Sequence, residues 1–179
     1  MLDPSTIRDI ARRLDQAERE RVQIRQIHLD HPAMTIEDAY AVQREWVGMK
    51  LAAGRRVIGR KVGLTSKAMQ TSIGIDEPDY GALLDDMVFQ NGGEIPTDRF
   101  IEPRLEVELA FVLGRELRGP RCTMLDVLSA TEYVVPAIEI IDPRQQRVDP
   151  ETQGGRTIVD SLSDNAADAG IAMGGRPVK

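Results

Sequence analysis

The segment Val134-Val135-Pro136-Ala137-Ile138-Glu139-Ile140-Ile141 limits the possible folds more than any other part of the chain. A run this short and this apolar reads as a strand covered on both faces, so other elements must pack on either side of its sheet. One glutamate interrupts it. A carboxylate buried alone is costly, so Glu139 needs an arginine, a shared proton or a metal ion. Arg60 and Arg104 are the partners the sequence offers for a purely structural pairing.

A second strand supplies further carboxylates. In Arg104-Leu105-Glu106-Val107-Glu108-Leu109-Ala110-Phe111-Val112-Leu113, alternate residues face the same way. Leu105, Val107, Leu109, Phe111 and Leu113 form one apolar face, while Arg104, Glu106, Glu108, Ala110 and Val112 share the other. Two carboxylates roughly 7 Å apart along a strand can converge on one cation, divide acid and base duties, or simply keep a wet edge strand soluble. Glu106, Glu108 and Glu139 together suit a hard divalent cation, Mg²⁺ or Mn²⁺, which prefers oxygen ligands. Zinc fits less well. His28 and His31 have ligand-like spacing but lie in a polar linker, and Cys122 stands alone.

A third feature is Lys61. Val57 to Leu64 alternates, with Ile58, Val62 and Leu64 on one face and Gly59, Lys61 and Gly63 on the other. The glycines leave space beside the ammonium where a substrate could lie. A lysine there can bind a carboxylate or relay a proton, or it can merely guard an edge strand.

The remaining pattern is α+β. A helix capped by Asp3 or Ser5 carries Ile7, Ile10, Ala11, Leu14 and Ala17. After a linker through His28–Pro32, a second starts at Thr35, with Asp38 completing a capping box and Ile36, Ala39, Val42, Trp46 and Met49 as its stripe. A short helix over Ser66–Ile73 ends at Gly74, and Asp76–Gly81 has the residues of a turn or loop. Strands are expected at 87–89, 104–113, 134–141 and weakly at 171–173, with a helix over 123–130, an exposed polar loop over 145–156 and a polar turn at 163–165. The expected architecture is one domain: an N-terminal helical region, 1–55, packed on a catalytic region, 56–179, built on a mixed, strongly curved sheet.

Composition narrows the function. With 41% hydrophobic and 29% charged residues the chain is globular, not disordered. A net charge of −6 argues against partners such as nucleic acid or an anionic membrane. One cysteine excludes an internal disulfide, and neither a membrane span nor a signal peptide is evident, so a cytoplasmic protein is expected. No dinucleotide fingerprint, Walker loop, HExxH or nucleophile elbow occurs. The closing Gly174-Gly175-Arg176-Pro177-Val178-Lys179 follows a strand with no closing element, which is the pattern of a fragment.

Four stretches carry a family resemblance: Gly59-Arg60-Lys61-Val62-Gly63-Leu64-Thr65-Ser66, Glu77-Pro78-Asp79-Tyr80-Gly81, Pro103-Arg104-Leu105-Glu106-Val107-Glu108 and Ser163-Asp164-Asn165-Ala166. In this order, and with Glu37-Asp38-Ala39-Tyr40-Ala41-Val42-Gln43, the chain resembles the 2-oxo-hept-4-ene-1,7-dioate hydratases of homoprotocatechuate breakdown. These belong to the fumarylacetoacetate hydrolase superfamily, beside 2-hydroxypentadienoate hydratases and 4-oxalocrotonate decarboxylases. The resemblance implies a barrel-like sheet, incomplete at its C-terminal end, and a homo-oligomer acting on a 2-oxo dicarboxylate. It places metal ligands on Glu106, Glu108 and Glu139, catalytic roles on Lys61 and on the acidic loop residue Asp79, and substrate or charge-balancing contact on Arg104. Mg²⁺ or Mn²⁺ is the implied cofactor. A sibling decarboxylase, a pentadienoate hydratase and a non-catalytic truncated subunit are the alternatives.

Overall fold

In the computed structural model, which describes residues 1–179, two long helices come first. Asp3 caps α1 (Pro4–Glu20), its carboxylate accepting from the backbone N–H of Ser5 and Thr6 at 2.9 and 3.1 Å. Pro4 sits in the first turn, where a missing N–H costs nothing. In α3 (Ile36–Ala52) the capping box between Thr35 and Asp38 is formed as the spacing predicts. Between them lies α2 (Ile27–Asp30), a single turn where the sequence reads as linker. The reason is remote: Asp160 accepts from the His28 backbone N–H at 2.9 Å and meets its Nδ1 at 2.6 Å.

The dry core forms where α1 and α3 meet. Ile10, Leu14, Ile27, Val42 and Trp46 pack with Leu84, Met87 and Leu162, so this core draws on residues from both parts of the chain.

Next come β1 (Val57–Gly63), α4 (Lys67–Ile73) and β2 (Asp79–Leu84). Serine 66 caps α4 and Gly74, at φ 77°, ends it. The two strands form an antiparallel ribbon in which Lys61 lies opposite Gly81 and Gly63 opposite Asp79. Asp79, Tyr80 and Gly81 are therefore strand, not loop, because β1 pairs with them. The glycine–lysine face of β1 is the sheltered one, and Ile58 and Val62 point outward.

The rest of the chain builds a four-stranded mixed sheet from β3 (Val88–Phe89), β4 (Arg104–Leu113), β5 (Thr131–Ile141) and β6 (Asp168–Met173). Its order is β3-β6-β5-β4, with β3 and β6 parallel and the other pairs antiparallel. The apolar run is an interior strand, as its composition demands. The sheet expected from Val57 onward is thus two sheets, and no barrel is closed. Strand β4 lies at an edge and its apolar face is open, with Val107 85% exposed and Leu105 69%. Two helices complete the structure: α5 (Met124–Ala130), capped by Thr123, and α6 (Ile158–Ser163), which the sequence pattern did not announce.

The polar loop before α6 departs from expectation. Gln145 and Asp149 are fully buried. The Gln145 side chain accepts from Ile27 N–H and donates to the Asp160 carbonyl, and Asp149 pairs with Arg25 at 2.5 Å. These polar groups tie the loop to the N-terminal segment. No helix is long and apolar enough to cross a membrane.

Candidate metal centre and active site

Strand register assembles the carboxylates. Glu106 lies directly opposite Glu139, and Glu108 projects from the same face of β4 one step along. Ligand oxygens of all three lie within 4.8 Å of one another. Glu106 and Glu108 are exposed, whereas Glu139 is 4% exposed. Its Oε1 has no hydrogen-bond partner, and the nearest cation is Lys61 Nζ at 3.5 Å. Burial pushes the Glu139 carboxyl up to about 7, Lys61 opposes that shift, and the charges of Glu106 and Glu108 reinforce it. Three carboxylates, one of them buried with an unpartnered oxygen, fit a hard divalent cation.

Lys61 and Asp79 reach the same place from β1 and β2. Lys61 Nζ donates to the Ala166 carbonyl at 3.0 Å as well as pairing with Glu139. Asp79 is buried, its Oδ1 lacks a partner, and burial raises its pKa against the opposing charge of Lys61. Gly63 makes their meeting possible: a Cβ there would collide with Asp79 Oδ1 and lie 3.2 Å from Lys61 Nζ. Beside Asp79 opens a cavity of about 410 Å³, lined by Ile36, Tyr40, Ile75, Pro78 and Leu162 among others.

Other expectations resolve differently. Glu139 pairs with neither arginine: Arg60 donates to the Gly59 carbonyl, and Arg104 pairs with Glu102 at 3.2 Å. Arg104 therefore shares the glutamate strand without neutralising the cluster. His28 is engaged by Asp160 and brings no ligand to the centre. Cys122 is an exposed thiol whose Sγ lies 3.2 Å from the Arg118 carbonyl.

Sequence reasoning missed Asp168. It is fully buried at the head of β6, and neither carboxylate oxygen has a partner. Burial, then the charge of Glu139, pushes it up to about 8. The signal was present in weak form, since Asp168-Ala169-Gly170-Ile171-Ala172-Met173 is an otherwise uncharged strand with one acid, as around Glu139.

Three carboxylates able to hold a divalent cation, with an ammonium and two further buried carboxyl groups beside them, are carried on an α+β scaffold of the fumarylacetoacetate hydrolase type. The chain belongs to the family of 2-oxo-hept-4-ene-1,7-dioate and 2-keto-4-pentenoate hydratases. It is 64% identical over 179 residues to 2-oxo-hept-4-ene-1,7-dioate hydratase of Escherichia coli, covering 100% of this chain and 67% of that protein. It is 38% identical over 177 residues to 2-keto-4-pentenoate hydratase of Paraburkholderia xenovorans (strain LB400), covering 99% of this chain and 64% of the relative. Among solved structures it matches 4-oxalocrotonate decarboxylase from Pseudomonas putida G7, complexed with magnesium and adipate, with TM-score 0.90 and 32% identity. That match covers 100% of this chain and 66% of the other, and a complex of the same decarboxylase with calcium and acetate matches equally well, at TM-score 0.90. The chain thus spans about two thirds of the length of these relatives, and 52% of another, 2-keto-4-pentenoate hydratase 1 of Dechloromonas aromatica (strain RCB). No family model matches the chain.

Proposed function

We propose that the whole protein adds water to 2-oxo-hept-4-ene-1,7-dioate, giving 4-hydroxy-2-oxoheptane-1,7-dioate in 4-hydroxyphenylacetate breakdown through homoprotocatechuate. The observation that carries this reading is the convergence of Glu106, Glu108 and Glu139 beside Lys61 and Asp79 in a chain 64% identical to a hydratase of that name. The 4,5-double bond of the substrate is not conjugated with its ketone, so C4 is not electrophilic. Moving a proton from C3 to C5 shifts the double bond to C3–C4. Water then delivers its hydroxyl to C4 and a proton to C3. The reaction needs groups that handle protons and a means of stabilising negative charge on the 2-oxo oxygen.

Glu106, Glu108 and Glu139 would hold Mg²⁺ or Mn²⁺, and the cation supplies Lewis-acid stabilisation of that developing charge. Asp79, buried with one oxygen unpartnered and its pKa raised by that burial, is suited to taking up and returning a proton. Lys61, held between the Ala166 carbonyl and Glu139, either delivers a proton or fixes a substrate carboxylate. Arg104, on the strand that carries Glu106 and Glu108, would contact the substrate. A cytoplasmic homo-oligomer is part of the same proposal.

The test is hydration of the dioate by the full-length protein with Mg²⁺, followed by product analysis. Failure to form the 4-hydroxy product would overturn the reading. The likeness to 4-oxalocrotonate decarboxylase supports one rival, in which the same site loses CO₂ from its substrate. Release of CO₂ from 4-oxalocrotonate, without hydration of the dioate, would establish that rival.

A further inference from the structure

The ammonium of Lys61 is held by one neutral contact, the Ala166 carbonyl at 3.0 Å. That carbonyl belongs to a turn few sequences would form. Asn165, Ala166 and Ala167 all have left-handed backbone, with φ of 53°, 52° and 60°, and none is glycine. Such conformations persist where the surroundings over-determine them. Here the surroundings are specific. Asn165 Oδ1 accepts from the Ala82 N–H at 2.7 Å, and its Nδ2 donates to the Ala82 carbonyl at 3.0 Å. One side chain thereby occupies both backbone groups of a residue on β2, as a neighbouring strand would. The fit also depends on Gly81, which lies opposite Lys61: a Cβ there would stand 2.6 Å from the Asn165 carbonyl oxygen.

We propose that Asn165 is a positioning residue of the active site: its clamp on Ala82 holds the 165–167 turn where the Ala166 carbonyl fixes the Lys61 ammonium beside Glu139. A carbonyl does this without neutralising the charge. It takes one of three N–H donors and leaves the others for Glu139 and the substrate. The inference rests on Lys61 acting in the reaction, and its test separates the two ideas.

The experiment uses the full-length protein with saturating Mg²⁺ and the variants Asn165→Ala, Asn165→Gly and Lys61→Ala. The glycine variant loses the clamp but accepts left-handed φ freely, so it serves if the alanine variant folds poorly. The first readout needs no turnover: Lys61 labelling by trinitrobenzenesulfonate, followed by peptide mass spectrometry. Loss of the clamp should speed labelling of Lys61 roughly two- to tenfold, the range one hydrogen bond is worth, with Lys50 unchanged. Equal Lys61 rates would overturn the proposal. The second readout is a double-mutant cycle. Asn165→Gly should lower kcat by up to about 10²-fold with KM nearly constant, and should add no loss in a Lys61→Ala background. Losses that multiply would show damage independent of Lys61 and overturn it. If Lys61→Ala alone hydrates normally, the catalytic reading of Lys61 fails, and the labelling rates still decide the clamp.

Discussion

Two buried clusters of charge lie close together, and they are built in opposite ways. Around Arg144 the ion pair is closed by hydrogen bonds: its guanidinium donates to the Asp164 carboxylate and carbonyl at 2.5 Å, and to the Asp142 and Asp168 carbonyls at 3.0 and 3.1 Å. The Arg144 backbone N–H donates to Asp164 as well. Around Glu139 the reverse holds, since Glu139 Oε1, Asp79 Oδ1 and both oxygens of Asp168 lack partners. Buried charge therefore does not mark function by itself. Several unpaired carboxylate oxygens gathered beside one ammonium are a stronger pointer, because their desolvation cost is not offset within the fold.

The strongest way to break this contrast is to remove one ligand. In the full-length enzyme, Glu139→Gln should abolish detectable Mg²⁺ binding by calorimetry and lower kcat by about 10³-fold or more. Normal binding would mean that the unsatisfied cluster is not the metal centre. The satisfied cluster should respond in stability instead. Arg144→Met leaves Asp164 buried and unpaired, and urea unfolding should report a loss of about 3–5 kcal/mol.

A pH series sharpens the comparison further. Between about pH 4 and pH 8 the folded, metal-free chain keeps protons on Glu139 and Asp168 that an unfolded chain releases. Folding is thus favoured at the acidic end, and stability falls as pH rises through that window. Carboxyls held below their usual range, Asp38 and Asp149 among them, act in the opposite sense and only at lower pH. The Tm of metal-free protein should decline from pH 5 to pH 8, and Glu139→Gln should flatten that slope. A rising Tm with an unchanged slope in the variant would contradict the assignment. The smallest effect belongs to an already satisfied contact outside the carboxylate cluster: His28→Ala should cost about 1 kcal/mol of stability and leave Mg²⁺ affinity unchanged.

The parts of this centre that were legible in sequence share a local cause. Glu106 and Glu108 declare their common face through period-two alternation, and Glu139 stands out against apolar neighbours, so short-range pattern sufficed. The capping box at Thr35 was readable for the same reason. What stayed hidden depends on distant pairing. Asp79 looks like loop until β1 is laid beside it, α2 forms because Asp160 waits 132 residues away, and Asn165 reads as a polar turn until Ala82 is seen between its amide atoms. The partner of Glu139 also escaped, since Lys61 approaches from the other sheet while both suggested arginines are taken up locally.

The open flank of β4 has a kinetic consequence. Ten residues of edge strand with Leu105, Val107, Leu109, Phe111 and Leu113 facing solvent form a template for any passing backbone. Once this sheet has formed, two processes compete for that flank: orderly covering and indiscriminate self-association. The first is set by folding and assembly rates, and the second grows with concentration. A net charge of −6 slows collisions between copies, but at physiological salt its reach shrinks to about 8 Å. For the 179-residue chain by itself, the yield of dispersed protein should therefore fall as its concentration rises.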